Sequence, residues 1–435
     1  MKNLITSVFL LLALLWPAAA SAYDFEVDGI YYKINGNEAS VTNGGGDYWN
    51  YESYSGDVTI PDSVTYDGTT YLVTGISHAA FYGCSNLTSV SIPNTVIVIE
   101  GSVFSDCSGL TSIKVDSGNP KYDSRDNCNA IIETASNTLI AGCMTTVIPN
   151  SVTSIGERAF IGCSSLTSVT IPNSVISIGE QAFQGCSGLT SVTIGNSVTY
   201  ISDWTFVYCG SLTSIVVDSD NPAYDSRDNC NAIIETASNR LIAGCMSTVI
   251  PATVTSVGFG AFVGCTGLTS VTIPNSVATI GKMAFTQCSS LTSVTIPSSV
   301  ASIGELAFSE CELIDVYCYI VDPSTVEMVD DVFSTLYSNL YPHRTLHVLQ
   351  GTAGAYQADG HWYPYFGQIV EDVHHNNLPG DVNSDGVVNI TDVNVLIAVI
   401  LGRHASTATG DVNGDGEITI ADINAIVDIL LGGGE

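Results

Sequence analysis

The fold is decided by the stretch Leu166-Thr-Ser-Val-Thr-Ile-Pro-Asn-Ser-Val-Ile-Ser-Ile-Gly-Glu-Gln-Ala-Phe-Gln-Gly-Cys-Ser-Gly188, because Leu189 begins a second copy of the same 23-residue unit. Self-similarity at a period of about 20 to 50 residues is typical of a solenoid, in which stacked coils share one continuous core. Cysteines recur at the same spacing, at Cys84 and Cys107, at Cys163, Cys186 and Cys209, and at Cys265, Cys288 and Cys311. One cysteine per period indicates a buried repeat position and not a general disulfide framework.

Each unit contains a strand with one apolar face. Val169 and Ile171 alternate with Ser168 and Thr170, so apolar and polar side chains point to opposite sides of the strand. Pro172 ends the strand because it has no N–H group to donate. The L-x-x-V-x-I spacing is the signature of a leucine-rich-repeat strand. We therefore predict a β-rich leucine-rich-repeat solenoid of parallel strands, with a short helical or irregular segment returning the chain to the next strand.

The outward strand positions are rich in hydroxyl groups. Two interpretations are open: the hydroxyls form a flat polar surface that binds a protein or glycan ligand, or they only keep an exposed parallel sheet in contact with water. The candidate ligand face consists of Ser168, Thr170, Ser191, Thr193, Ser270, Thr272, Ser293 and Thr295.

A larger repeat of 102 residues sits above the short one, and each of its two copies contains one hairpin insertion, near 119–143 and near 221–245. In the first insertion, Ala130–Glu133 and Thr138–Ala141 are predicted strands around a four-residue loop. If Glu133 faces Thr138 across this loop, Cys128 faces Cys143, and the near-copy places Cys230 opposite Cys245 in the same way. That register would allow disulfides Cys128–Cys143 and Cys230–Cys245; the alternative is two buried thiols in each hairpin.

The chain from about Asp57 to Cys311 resembles the bacterial surface leucine-rich-repeat family called BspA-like, on the recurring I-P, I-G, A-F and G-C pairs of the unit. The resemblance implies a right-handed solenoid. It also implies a role in adhesion to host or matrix proteins and to other bacteria.

The predicted organisation has six parts. Residues 1–22 are a signal peptide, with a small-residue cleavage site at Ala20-Ser-Ala22, so we expect a secreted or cell-surface protein. An N-terminal β cap (23–75), the solenoid (76–312), a C-terminal cap (313–370), a linker (371–379) and a small helical module (380–435) follow. The net charge of −32 argues against a nucleic-acid partner. No later segment is long and apolar enough to be inserted into a membrane.

The C-terminal module contains two 12-residue acidic loops, 30 residues apart, and each has glycine at its sixth position. Calcium is bound in such loops by hard oxygen ligands from positions 1, 3, 5, 7, 9 and 12. The first loop supplies Asp381, Asn383, Asp385, the Val387 carbonyl, Asn389 and Asp392. The second loop supplies Asp411, Asn413, Asp415, the Glu417 carbonyl, Thr419 and Asp422. We predict two bound calcium ions.

Each loop runs into an apolar helix, and neither has a convincing helix before it, so the layout is loop-helix twice. The segment from Gly380 to Leu431 resembles a type I dockerin module, which implies calcium-dependent docking onto a cohesin-like partner. The positions that contact the partner in this family carry mostly apolar residues here. These residues could also pair the two helices with each other or dock the module onto its own solenoid. These candidate docking residues are Ile390, Thr391, Ile397, Ile420, Ala421 and Val427.

Catalytic residues are not indicated. The seven histidines do not recur with the repeat, and no nucleophile motif accompanies one of them. We therefore expect a non-catalytic binding or adhesion protein that a dockerin tethers to a scaffold. The alternative is an accessory, carbohydrate-binding subunit of a polysaccharide-degrading, cellulosome-like assembly.

Overall fold

The computed structural model describes residues 23–45, 53–329, 331–335, 343–373, 382, 388, 390–402, 410–413 and 417–430. The described part is dominated by short strands. The first strands are β1 (Phe25–Val27), β2 (Ile30–Asn35), β3 (Glu38–Thr42), β4 (Gly56–Thr59), β5 (Ser63–Tyr66), β6 (Thr69–Ile76), β7 (Leu87–Ile92), β8 (Val98–Ile99) and β9 (Ser112–Val115).

The two long repeats contain the next strands. In the first repeat they are β10 (Tyr122–Asp123), β11 (Ala130–Glu133), β12 (Thr138–Gly142), β13 (Ser154–Ile155), β14 (Ser168–Ile171), β15 (Ser177–Ile178), β16 (Ser191–Ile194), β17 (Tyr200–Ile201) and β18 (Ser214–Val217). In the second repeat they are β19 (Tyr224–Asp225), β20 (Ile233–Glu235), β21 (Arg240–Ala243), β22 (Ser256–Val257), β23 (Ser270–Thr272), β24 (Thr279–Ile280), β25 (Ser293–Ile296) and β26 (Ser302–Ile303).

The C-terminal strands are β27 (Asp315–Cys318), β28 (Glu327–Met328), β29 (Thr345–Leu349) and β30 (Gln368–Val373). The helices are α1 (Ala353–Ala358), α2 (Ile390–Ile400) and α3 (Ile420–Leu430). No helix in the described ranges is long and apolar enough to cross a membrane.

The predicted repeat strands form three parallel sheets, ordered β4-β7-β9, β14-β16-β18 and β23-β25-β27-β29-β30. Each residue pairs with its equivalent one unit later, as Val169 does with Val192 and Val192 with Ile215. These three side chains are buried, while Thr170 beside them is exposed. The predicted alternation of faces and the predicted parallel stacking are therefore confirmed.

A second set of strands runs along the other side of the coils. Two-residue strands such as β15 and β24 form the parallel ladders β13-β15-β17 and β22-β24-β26-β28. The segment that follows each of them consists of turns in the described coils and not of a helix, so the irregular form of the predicted return segment is the correct one.

The core between the two sets of strands contains stacked aromatic rings. Phe183 lies between Phe160 and Phe206, with ring centroids 4.9 and 5.4 Å apart. In the second long repeat, Phe285 stacks on Phe262 at 4.9 Å and on Phe308 at 5.1 Å. These separations are close to the spacing of neighbouring strands, because each ring belongs to the next coil of the stack.

The hairpin insertions form as predicted, with a difference in register. Glu133 lies opposite Thr138, but the pairing shifts between Ile131 and Ile132, so that Ile131 lies opposite Ala141. The second hairpin, β20-β21, has the same shift. A β-bulge places one extra residue on one strand and moves every later pair by one position.

The bulge accounts for a correction to the predicted disulfides. All thirteen cysteines lie in the described residues, are buried and form no disulfide. Cys128 and Cys143 are out of register, and the Cys143 sulfur instead lies 3.3 Å from the Asn129 carbonyl oxygen. The bridges Cys128–Cys143 and Cys230–Cys245 are therefore not formed, and the alternative of buried thiols is the one seen.

Two domain boundaries also differ from those predicted. β4 lies within the predicted N-terminal cap, yet it pairs in parallel with β7 and begins the first solenoid sheet. The remaining cap strands form a sheet ordered β1-β2-β3-β6-β5, with β8 paired to β6. At the other end, β30 continues to Val373, so the first three residues of the predicted linker belong to the last solenoid sheet.

Candidate calcium-binding and docking sites

The second acidic loop is organised around the carboxylate of Asp422, which is fully buried in the first turn of α3. Its Oδ1 accepts hydrogen bonds from the backbone N–H groups of Val412 at 2.8 Å and Asn413 at 3.1 Å. Its Oδ2 accepts one from the Thr419 N–H at 2.7 Å. Burial alone would raise the pKa of Asp422, but these donors hold the pKa below its ordinary value. The described residues on both sides of the loop are thus hydrogen-bonded to this one carboxylate at position 12.

Asp392 is the equivalent residue of the first loop. It occupies the first turn of α2 and is also fully buried. Two buried carboxylates at equivalent positions need compensating interactions, because an ionised group is costly to remove from water.

The donor set of the second loop fits calcium. Asp411, Asn413, Glu417, Thr419 and Asp422 offer only oxygen ligands, and calcium prefers oxygen. When bound, the ion would supply positive charge that balances the loop carboxylates. Among the described residues, His, Cys, Asp and Glu side chains do not gather in groups of three or more suited to a metal ion. The other predicted ligands lie outside the described residues; they are Asp381, Asn383, Asp385, Val387, Asn389 and Asp415.

The two helices pack against each other through a small apolar core. Its buried members are Val382, Val393, Leu396 and Ile426. The predicted docking residues lie outside this core. Ile390 and Ile420 are 66% and 67% exposed, and Ile397 and Val427 are 39% and 37% exposed. Ala421 is exposed as well, whereas the Thr391 side chain lies outside the described residues.

The equal exposure of equivalent residues shows that the two loop-helix units present similar apolar surfaces to solvent. Pairing of the two helices uses other residues of the same helices. The sequence left three roles open for these residues: contact with a partner, pairing of the two helices, or docking onto the solenoid. Pairing of the helices is not the role of Ile390 and Ile420.

The hydroxyl-rich positions form two ladders and not one continuous face. Thr170 is in register with Thr193, and Thr272 with Thr295, but the two pairs belong to different sheets. The serine positions pair in the same way, Ser168 with Ser191 and Ser270 with Ser293. The predicted ligand face is therefore divided between the two long repeats.

The second ladder ends in a polar aromatic cluster that the sequence reasoning missed. The Tyr317 ring stacks on the His347 ring with 4.4 Å between centroids. The His347 Nδ1 lies 2.8 Å from Asp372 Oδ1, and its Nε2 lies 3.0 Å from Asp315 Oδ1. The sequence contains a sign of this cluster: Asp315 and Tyr317 stand two and four residues after Leu313, where four other copies carry serine and threonine.

Comparison with known families agrees with the calcium module. Residues 379–431 match the Dockerin type I domain, which is a calcium-binding module. Among curated proteins, none matches this chain.

Three solved structures of bacterial proteins are similar to this chain. A leucine rich cell surface protein from Faecalibacterium prausnitzii A2-165 shares 22% identity, with a TM-score of 0.43, over 82% of this chain and 96% of its own. A leucine-rich repeat protein from Bacteroides ovatus ATCC 8483 shares 22% identity, with a TM-score of 0.35, over 80% of this chain and 76% of its own. The pneumococcal vaccine antigen PcpA shares 14% identity, with a TM-score of 0.40, over 81% of this chain and all of its own.

The repeats themselves give the broadest match. Six copies of the BspA type leucine rich repeat region are found at residues 51–134, 141–230 and 242–337, which together make up more than half of the sequence. The chain belongs to the BspA-type leucine-rich-repeat proteins and carries a C-terminal type I dockerin domain.

Proposed function

We propose that this chain is an exported, non-catalytic binding protein. Its C-terminal module, holding two calcium ions, attaches it to a cohesin-like scaffold protein. Its solenoid contacts a host, matrix or bacterial surface protein or glycan. The observation that carries the proposal is the dockerin match over the same residues in which Asp392 and Asp422 are buried at the two loop ends.

The exposed isoleucines support a docking role for the module. Ile390 and Ile420 are each the first residue of a helix and the tenth position of a predicted calcium loop, and they are about two thirds exposed. Exposed apolar groups grouped on one small module are characteristic of an interaction surface. Since each isoleucine belongs to a loop that calcium would order, we expect docking to require the ion.

The test is calcium-dependent capture of the mature chain, from Tyr23 to Glu435, by an immobilised type I cohesin domain. We expect capture in calcium and loss of capture in EDTA. The double change Ile390→Ser and Ile420→Ser should abolish capture, since it removes both apolar contacts. Ile176→Ser is the matched control, because Ile176 is a half-exposed isoleucine of the solenoid. Capture that survives EDTA, or that the double change leaves intact, would contradict the docking role.

The hydroxyl ladders are the proposed contact surface of the solenoid. Thr170, Thr193, Thr272 and Thr295 point outward from two parallel sheets whose other face is buried in the core. Replacing all four by glutamate should remove binding to an immobilised matrix protein such as fibronectin. Thr279→Glu, an exposed threonine on the opposite set of strands, is the control. Equal binding by the fourfold variant and the control would exclude this face.

The second candidate is an accessory subunit of a polysaccharide-degrading assembly. The stacked pair of Tyr317 and His347 favours it, because an aromatic ring beside the carboxylate of Asp315 can contact both the apolar face and the hydroxyls of a sugar. Glycan-array binding by the mature chain would favour this role, and binding to matrix proteins without glycan binding would favour adhesion.

A further inference from the structure

The residue before each coil-closing cysteine has a left-handed backbone. Glycine is the residue suited to this conformation, because it lacks the Cβ that makes positive φ unfavourable. Four coils have glycine there, with φ between 68° and 73°: Gly83, Gly162, Gly185 and Gly264. Four other coils have a side chain at the same place, with φ between 57° and 61°: Asp106, Tyr208, Gln287 and Glu310.

A side chain that persists in such a conformation costs folding free energy, so an observed outlier of this kind points to a role for the side chain. Three of the four meet at one place. The second hairpin insertion lies between Tyr208 and Val263 in sequence, and the Tyr208 N–H donates to the Val263 carbonyl at 2.9 Å. Gly264 in turn donates to Thr286 at 2.9 Å. Tyr208 is thereby placed next to Gly264, and Gln287 and Glu310 follow in the next two coils.

These residues line a cavity of about 340 Å³. Its wall also includes the hydroxyls of Thr266 and Ser289 and the carboxylate of Glu312. Cavities from about 300 Å³ upward are of the size that small ligands occupy.

Tyr208 forms a flat wall of this cavity. A Cβ added to Gly264 would lie 2.4 Å from Tyr208 Cδ1, so the ring can lie against the backbone only because residue 264 is glycine. The Tyr208 side chain is 37% exposed. One part of the ring is therefore packed and another part is open to a ligand.

We infer, on the basis of the binding function proposed above, that this cavity binds a neutral saccharide. The open part of the Tyr208 ring suits the apolar C–H face of a sugar. The Gln287 amide and the hydroxyls of Thr266 and Ser289 both donate and accept, and the carboxylates of Glu310 and Glu312 accept. Sugar hydroxyls are the groups that match such a mixture of donors and acceptors.

The charge of the wall argues against other ligand classes. Within the described part of the chain, the lining contains no lysine, arginine or histidine, so an anionic ligand would meet two carboxylates and no cation. A lysine-rich peptide would satisfy the carboxylates. Its ammonium groups only donate, however, and would not use the donors of Gln287, Thr266 and Ser289.

The test is titration of the mature chain with four neutral probes, cellotriose, xylotriose, mannotriose and chitotriose, by isothermal calorimetry and saturation-transfer NMR. We expect at least one probe to bind. Tyr208→Gly and Gln287→Gly should each weaken its binding by about tenfold or more, since each removes a direct contact. Because glycine is the residue that other coils carry there, neither change should lower the thermal midpoint.

Asp106→Gly is the matched control. Asp106 occupies the position of Tyr208 one long repeat earlier, with the same left-handed backbone, but it does not line the cavity. This variant should bind the probe as the original chain does. If Tyr208→Gly lowers stability, Glu310→Gln provides the second test, because it removes the acceptor charge and keeps the size of the side chain.

Three results would overturn the assignment: no binding of any probe, full binding by both Tyr208→Gly and Glu310→Gln, or binding of a trilysine peptide that these variants abolish. The fourfold threonine variant separates the two proposals. It should lose binding to a matrix protein and keep binding to the saccharide, since it changes no residue of the cavity wall.

Discussion

The thiol of Cys186 donates a hydrogen bond to the backbone carbonyl oxygen of Phe160, with 3.2 Å between sulfur and oxygen. The same carbonyl accepts the Cys163 N–H at 3.0 Å within its own coil. One carbonyl thus joins the turn of its coil to the next coil. The bond recurs from Cys107 to Phe81, Cys209 to Phe183, Cys288 to Phe262 and Cys311 to Phe285, at 2.9 to 3.2 Å. The recurring cysteine is therefore a linking residue between coils as well as a small buried one.

Replacing Cys186 by alanine should lower the free energy of unfolding by about 2 kcal/mol, from the lost sulfur packing and the lost hydrogen bond. Cys128→Ala is the control, because Cys128 is equally buried but its hydrogen bond to the Ala130 carbonyl oxygen is longer, at 3.8 Å. It should cost about 0.5–1 kcal/mol less. Urea unfolding followed by circular dichroism measures the difference, and equal losses would show that the bond is not stabilising.

The buried thiols should make stability fall at high pH. Burial raises the pKa of Cys163 and of Cys209 to about 12, whereas an unfolded cysteine has a pKa of about 8.5. Between these values the folded chain retains protons that the unfolded chain releases, so the stabilisation is complete below about pH 8.5 and is lost as the pH rises toward 12. The urea midpoint should be lower at about pH 10.5 than at about pH 7.5.

Cys209→Ala tests the source of this dependence, because it removes one of the titrating thiols. Its urea midpoint should fall less steeply over the same pH range than that of the original chain. Reaction with a thiol reagent gives an independent check: the thiolate is the reactive form, so the folded protein should react slowly at neutral pH. All thirteen cysteines should react once urea unfolds the chain.

The C-terminal end of the solenoid is closed by a buried arginine. The Arg344 guanidinium donates to the carbonyl oxygens of Phe333 at 2.6 Å, Cys311 at 3.0 Å and Leu313 at 3.2 Å. Trp362 and Tyr356 are fully buried in the same cap. A solenoid end must cover the last coil, and here polar and aromatic side chains cover it together.

Arg344→Met should lower the free energy of unfolding by about 3 kcal/mol or more, since it leaves three buried carbonyl groups without this donor. Arg158→Met, at a partly exposed arginine, should cost about 0–1 kcal/mol. Amide hydrogen exchange should show faster exchange in β27 and β29 of the Arg344 variant. Unchanged protection of these strands would mean that the cap does not depend on the guanidinium.

Calcium binding should be lost one loop at a time. Calorimetric titration of the mature chain should give two bound ions. Asp422→Asn and Asp392→Asn should each leave one, because the position-12 carboxylate is a charged ligand of its own loop. The double variant should bind none. Asp372→Asn, an exposed carboxylate of β30, is the control and should keep both ions.

A different pattern of stoichiometry would correct the ligand assignment. If the Asp422→Asn variant still binds two ions, the second loop holds its ion without this carboxylate. A single ion bound by the original chain would mean that only one loop is a calcium site.

The local and periodic features of the chain could be predicted from its sequence. The alternation of Val169 and Ile171 with serine and threonine indicated which face is buried, because side chains along a strand point to opposite sides in turn. The 23-residue period indicated which residues pair between coils. Loop spacing predicted Asp392 and Asp422 as calcium ligands, and both residues are buried in the structure. The partner of the module does not follow from that spacing.

The tertiary structure decided what depends on the path of the whole chain. A one-residue bulge at Ile131 keeps Cys128 and Cys143 apart, and no periodicity reports a bulge. The strands of the second hairpin insertion join only the second set of strands, and the Tyr208 N–H donates to the Val263 carbonyl although 55 residues separate them in sequence. Repetition determined the coil and its core, because each coil meets an almost identical neighbour. The interruptions of the repeat determined the cavity, since only the folded path shows which distant residues they bring together.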